Sequence, residues 1–188
     1  MHLFLYEGEK NNTDMLVRHA YEIYAAETGR NIGSIDDADE ISISRTENGK
    51  PYFTDIEDVH FSVSHTGMMW VCLMADHPVG IDIQEMRSVR AEEIAARYFG
   101  PSEEHYVALW GDDGFYDLWV RKEAAVKYAG QTLAGGIGTE VAEDGDLLTE
   151  IVIDGKTVIL ESIDMGPYVK CACAAEKKED ICIRMLMG

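Results

Sequence analysis

Basic side chains are scarce in this sequence: 16 Lys and Arg stand against 35 Asp and Glu in 188 residues, a formal charge of −19. A chain this acidic lacks the footprint that supplies most nucleic-acid affinity, which excludes that partner class. An anionic ligand must then be held by a few local basic groups, a metal, or backbone N–H groups. Long apolar runs are absent too; none approaches the roughly 20 residues of a membrane span. The opening residues, MHLFLYEG, have neither the basic start nor the apolar core of a signal peptide, so a cytoplasmic protein is expected. Cysteines are few: Cys72, Cys171, Cys173 and Cys182. Cys171 and Cys173 would share one face of a strand, with no nearby His to complete a zinc set, and the expectation is buried, reduced thiols.

What remains is a globular chain. Hydrophobic residues make up 46% of it, too many for a disordered segment, and its length suits one sizeable core or two small lobes. Residues 2–6 read as a strand. Asn12 or Thr13 can cap a helix that runs to about Thr28, with Leu16, Ala20, Ile23 and Tyr24 as its apolar stripe and Gly29 as its stop. A polar loop with Asp36, Asp37 and Asp39 follows over residues 33–39.

The period then becomes two. Ile41 to Thr46 alternates, Asn48-Gly49 signals a turn, and Val59, Phe61 and Val63 alternate with His60, Ser62 and Ser64 as in a half-buried strand. After Gly67, residues 70–74 read as its hairpin partner, and Val79–Gln84 as a further strand beyond His77-Pro78. Residues 94–99 suit a short helix, Ser102 can begin another, and a third runs from about Phe115 to Tyr128. After Gly135-Gly136 come strands near 147–153, 157–163, 168–175 and 180–187, with turns at Asp144-Gly145 and Asp154-Gly155. The pattern predicts an α+β fold of two similar lobes with small antiparallel sheets, residues 1–76 and 77–188.

Four short stretches carry chemistry. In Val79–Gln84, Ile81 and Ile83 point to the core, while Gly80, Asp82 and Gln84 share the other face. A carboxylate beside a carboxamide suits a hard cation such as Mg²⁺, although an edge strand with a polar face gives the same pattern. Ser64-His65-Thr66-Gly67 can present hydroxyl, imidazole and N–H groups to a phosphate, or be an ordinary strand end. Ser64 and His65 point to opposite faces and do not form a nucleophile–base pair. Lys50, in Asn48-Gly49-Lys50-Pro51, offers a point charge or is a turn lysine in solvent. On the helix Trp119–Lys127, residues Trp119, Glu123 and Lys127 share a face, which alone is an ordinary Glu–Lys pair.

Together, in this order and spacing, Gly49-Lys50-Pro51, Phe61–Thr66, Val79–Ile83 and Trp119–Lys127 resemble the 4′-phosphopantetheinyl transferases of the Sfp type. The resemblance covers roughly residues 45–135. It implies two α+β halves in pseudo-twofold arrangement with the active site between them. It implies transfer of the phosphopantetheine arm of coenzyme A to a serine of an acyl or peptidyl carrier protein, with release of adenosine 3′,5′-bisphosphate. Asp82 and Glu123 match Mg²⁺ ligands, with Mn²⁺ as a substitute. Glu123 also matches the base and Lys127 the lysine on the pyrophosphate, while Lys50, Ser64 and His65 match coenzyme A contacts.

The chain departs from the family in two places. Gln84 stands where many members carry a second acid, and a carboxamide or water there implies weaker metal binding with activity kept. The segment Glu7–Asp14 has only Lys10 where a basic cluster helps to hold the 3′-phosphate, which leaves Arg18 and Arg45 as candidate contacts. Arg87, Arg90 and Arg97, with Met68 and Met69, are candidates for docking the carrier, and a monomer is expected because both half-sites lie on one chain. The alternative is a non-catalytic coenzyme A or carrier-protein binding module on the same scaffold; a plain acidic α+β domain is a third reading.

Overall fold

A computed structural model describes residues 1–8, 12–30, 41–132 and 138–187. Lys10, the acidic loop 33–39 and Gly135-Gly136 lie outside the described residues. In chain order the elements are β1 (His2–Glu7), α1 (Thr13–Thr28), β2 (Ile43–Arg45), β3 (Pro51–Phe53), β4 (His60–Thr66), β5 (Met69–Ala75) and β6 (Val79–Glu85). They continue with α2 (Ala91–Tyr98), α3 (Pro101–Ala129), β7 (Ala142–Glu143), β8 (Asp146–Leu147), β9 (Glu150–Ile153), β10 (Lys156–Ser162), β11 (Val169–Ala175) and β12 (Cys182–Met185).

Local chemistry explains the helix ends. Asn12 caps α1 by accepting the Asp14 N–H, and Gly29 closes it in the left-handed region at φ 68°. The helices expected from Ser102 and from Phe115 join into α3, which is broken at Gly111 by φ 60° and ψ −136°. Only glycine adopts that conformation readily, so the break falls where no side chain resists it.

Two four-stranded sheets form, ordered β12-β1-β5-β4 and β6-β11-β10-β9. The chain takes the same path twice. A first strand leads to a helix and then to a hairpin whose second strand pairs antiparallel with the first: β1 with β5 of β4–β5, and β6 with β11 of β10–β11. The α+β class with small sheets packed by helices is therefore the observed one. One strand goes elsewhere than the sequence pattern suggested. β12 leaves the second half and pairs in parallel with β1, Leu3 beside Ile183 and Leu5 beside Met185, so the first sheet is mixed. Alternation marks a strand but does not name its neighbour.

Apolar residues fill three layers. One lies between the first sheet and α1 (Phe4, Leu16, Tyr21, Phe61), and one between the second sheet and α2 and α3 (Phe99, Phe115, Leu118, Leu160). The third joins the sheets: Leu3, Leu5, Val71 and Leu73 meet Ile81, Ile83, Cys171 and Cys173. β1 and β5 are thus buried on both faces, which is why they read as continuous apolar runs. All four cysteines are free; Cys72, Cys171 and Cys173 are buried, and burial pushes the Cys173 thiol up to about 12.

β4 and β6 lie side by side as edges of different sheets, and among the described residues no backbone ladder joins them. Side chains join them instead. Ser62, Ser64 and Thr66, on one face of β4 by the period of two, accept the N–H groups of Ile81 (3.1 Å), Ile83 (3.4 Å) and Glu85 (2.9 Å). The polar face of the expected half-buried strand is buried too, because it is the seam between the two sheets.

Candidate active site

The site forms where α3 crosses β6. Gly80, Asp82 and Gln84 share the face under the helix, and a Cβ on Gly80 would collide with the backbone of Ala124 and Tyr128. What the glycine admits is therefore the helix itself. Ala172 and Ala174 of β11, register partners of Asp82 and Gly80, are fully buried and extend this low floor. On the helix, Glu123 and Lys127 are one turn apart, and the close crossing brings both to Asp82.

Asp82 Oδ1 accepts from Lys127 Nζ at 2.7 Å and from Ser64 Oγ at 2.6 Å. Burial, and then the negative charge of Asp82, push the Glu123 carboxyl up to about 7 against the opposing pull of Lys127. The ammonium is thus paired with Asp82, while Glu123, half-buried, feels both charges without an ion pair of its own among the described residues.

The other residues of Trp119–Lys127 hold the helix. Trp119 packs on the second core with its ring 5.8 Å from that of Phe115. Arg121 donates to the Leu148 carbonyl and the Ser162 hydroxyl. Lys122 pairs with buried Glu103 at 2.8 Å and donates to the Thr139 carbonyl.

Of the remaining candidates, Gln84 stays beside the cluster on β6, its carboxamide 3.4 Å from the Thr66 hydroxyl and 3.4 Å from the Glu85 carbonyl. Lys50 and His65 are not joined to the cluster. The Lys50 ammonium sits between the carbonyls of Tyr128 (2.9 Å) and Val79 (3.3 Å), and burial pushes it down to about 8. With Asn48, which donates to the Gly130 carbonyl, it closes the negative end of α3 just past Lys127. His65 is exposed and lines a cavity of about 360 Å³ with Tyr6, Asn12, Thr13, Met68 and Trp70. Arg18 donates to the Ile41 carbonyl and Arg45 pairs with Asp14.

Sequence reasoning gave Ser62, Glu103 and Lys170 no role, and read Thr66 as part of a phosphate-facing turn instead of the seam. The strand left a signal for Ser62, hydroxyls at every second residue. Glu103 left none, since a buried glutamate looks like any other in a first helical turn. Lys170 is the register partner of Gln84 and is held by Asp113 and Asp117.

The donor set suits a hard divalent cation: Asp82 lies near enough to Glu123 to help raise its carboxyl, and a carboxamide, Gln84, follows two residues on along the strand. Asp82 and Glu123 would hold such an ion, with Gln84 or water completing its shell. Beside it, the Lys127 ammonium can face an anion.

These features define an α+β chain of repeated topology with a carboxylate–ammonium cluster at the crossing of a strand and a helix. The family model of the 4′-phosphopantetheinyl transferase superfamily matches residues 78–155, which hold β6 and α3. A 4′-phosphopantetheinyl transferase of Bacillus subtilis is 34% identical, over 72% of this chain and 63% of the relative. The 4′-phosphopantetheinyl transferase Sfp of Bacillus subtilis strain 168 is 31% identical, over 77% of this chain and 69% of the relative. A third, psf-1 of Bacillus pumilus, is 28% identical over 87% of this chain and 69% of its own. The chain thus spans about two thirds of the length of these relatives. It belongs to the 4′-phosphopantetheinyl transferase superfamily.

Proposed function

We propose that this protein moves the 4′-phosphopantetheine arm of coenzyme A onto a serine of an acyl or peptidyl carrier protein, with Mg²⁺ as cofactor and Mn²⁺ as a substitute. The observation that carries this reading is the cluster of Asp82, Glu123 and Lys127, assembled from a strand and a helix over Gly80. The activity these relatives are named for supports the same assignment.

When bound, the metal offsets the charge of the diphosphate and polarises its oxygens. The protein's residues do the rest. Glu123, its carboxyl poised near neutral pH by burial and by Asp82, takes the proton of the carrier serine hydroxyl. The serine oxygen bonds to the phosphorus bearing the pantetheine arm. The bond from that phosphorus to the oxygen bridging to adenosine 3′,5′-bisphosphate breaks. Lys127 leaves Asp82 for the leaving phosphate, where negative charge develops. Lys50 and His65 remain proposed coenzyme A contacts, Lys50 through its turn and His65 through the cavity it lines, whereas the Ser64 hydroxyl is engaged with Asp82.

The reading includes a division at residue 76 into an N-terminal half and a C-terminal half bearing the metal and catalytic residues, with β12 added to the first sheet. It also includes a cytoplasmic monomer; no helix among the described residues is long and apolar enough to cross a membrane. Arg87, Arg90 and Arg97 are exposed, Arg87 just past β6 against Glu85, Arg90 against Glu93 and Arg97 on α2 over Tyr98. They are the proposed docking cations for the carrier, with exposed Met68 as an adaptable apolar contact.

The test is intact mass. Apo carrier protein incubated with this protein, coenzyme A and Mg²⁺ should gain one phosphopantetheine. Gln84 favours a second reading, a non-catalytic module that binds coenzyme A or a carrier. Binding of coenzyme A with no mass gain on any of a panel of acyl and peptidyl carriers would select that module.

A further inference from the structure

Ser64 occupies a place in the seam that Ser62 and Thr66 do not. Each of the three hydroxyl oxygens accepts one amide N–H of β6, which uses a lone pair and leaves the hydroxyl proton to be directed elsewhere. Only Ser64 directs it at a residue of the cluster: its Oγ lies 2.6 Å from Asp82 Oδ1. That distance is typical of a hydroxyl donating to an ionised carboxylate, the stronger kind of hydrogen bond. Ser64 and Asp82 are both buried, so water competes little for either group. Lys127 donates to the same oxygen, and among the described residues Oδ2 receives no donor. One carboxylate oxygen is thus tethered to the first sheet and to α3, and the other is left open.

We propose that Ser64 is a positioning residue: its hydroxyl holds Oδ1 of Asp82 across the seam, so that Oδ2 is presented as the metal-ligating oxygen only when the two sheets are in register. This rests on the reading of Asp82 as a metal ligand. It assigns Ser64 to the carboxylate instead of to a phosphate of coenzyme A. It also gives the seam a function. Parting β4 from β6 breaks the Ile83 and Asp82 bonds of Ser64 together, so metal affinity is tied to the apposition of the sheets. A hydrogen bond that orients a metal-bound carboxylate is worth about 10–100-fold in metal affinity.

The experiment is a titration of Mn²⁺ followed by electron paramagnetic resonance, in the presence of coenzyme A, with thermal unfolding recorded on every variant. Ser64→Ala should weaken Mn²⁺ binding by about 10-fold or more. Ser62→Ala, which removes a seam hydroxyl with no tie to Asp82, should lower the unfolding temperature to a similar extent and leave Mn²⁺ affinity within about twofold, consistent with a purely structural hydrogen bond. Ser64→Thr should restore binding, since Thr66 already seats a threonine in this seam. Should Ser64→Ala fail to fold, Ser64→Cys fills the place with a weaker donor and should bind Mn²⁺ several-fold less tightly. Wild-type affinity in the folded Ala or Cys variant overturns the proposal, as does an equal loss in Ser62→Ala. Failure of the underlying reading shows separately: the wild-type protein would bind no Mn²⁺.

Discussion

Helix α3 carries two lysine–carboxylate pairs built in opposite ways. Lys122 and Glu103 are 3% and 0% exposed and meet at 2.8 Å, one charge to one. The Glu103 oxygens also accept from the Gly100 and Val141 amides, and Lys122 donates to Thr139 and lies over the Phe99 ring. Lys127 and Asp82 are 29% and 9% exposed, and Glu123 brings a second carboxyl within reach of both charges without its own ion pair among the described residues. The first pair is complete and locks the helix to the loop before β7. The second has surplus negative charge and a carboxylate that burial disfavours, the condition under which a cation is drawn in. Burial with full satisfaction marks structure; partial burial with an unbalanced charge marks the site.

Breaking the closed pair gives the largest expected effect on stability. Glu103→Gln leaves Lys122 buried without its counter-charge and should cost about 3–5 kcal/mol in denaturant unfolding. Transfer activity per folded molecule should survive, and its loss would make the closed pair part of the site.

The open cluster should respond to pH. A half-buried carboxyl raised from 4.5 to about 7 binds its proton more tightly in the folded than in the unfolded chain. Without metal, stability should therefore fall as pH rises from about 4.5 to 7, and Glu123→Gln should remove that slope. Metal binding needs the proton gone, so apparent Mg²⁺ affinity should tighten up to about tenfold per pH unit below 7 and level off above it.

Smaller changes sharpen the comparison. Gln84→Glu adds a third carboxylate; transfer should continue, with a Mg²⁺ requirement lowered by about several-fold. Replacing Arg87, Arg90 and Arg97 by alanine should raise the carrier KM by only about a few-fold, because exposed charges contribute little each. A carrier KM unmoved by the triple change would place docking elsewhere.

Much of this comparison was legible in the sequence. Periodicity gave the Ile81/Ile83 core face and the opposite Gly80/Asp82 face, and helical spacing put Glu123 and Lys127 together. Capping chemistry marked both ends of α1. What stayed hidden depends on long-range pairing. The parallel seat of β12 beside β1 has no local signal. Glu103 and Lys122 are buried together although each alone reads as a surface residue. Gly80 reads only as one residue of a polar strand face, because nothing in its own strand says that a helix will press there. Ser62, Ser64 and Thr66 looked like a wet face because the second sheet that covers them comes later in the chain.

The most direct measurement is intact mass of an apo carrier after incubation with coenzyme A, Mg²⁺ and either wild-type protein or folded Glu123→Ala. The account predicts one phosphopantetheine gained with the wild type and a rate lower by about 10²–10⁴-fold or more with the variant. Wild-type rates in Glu123→Ala would contradict it.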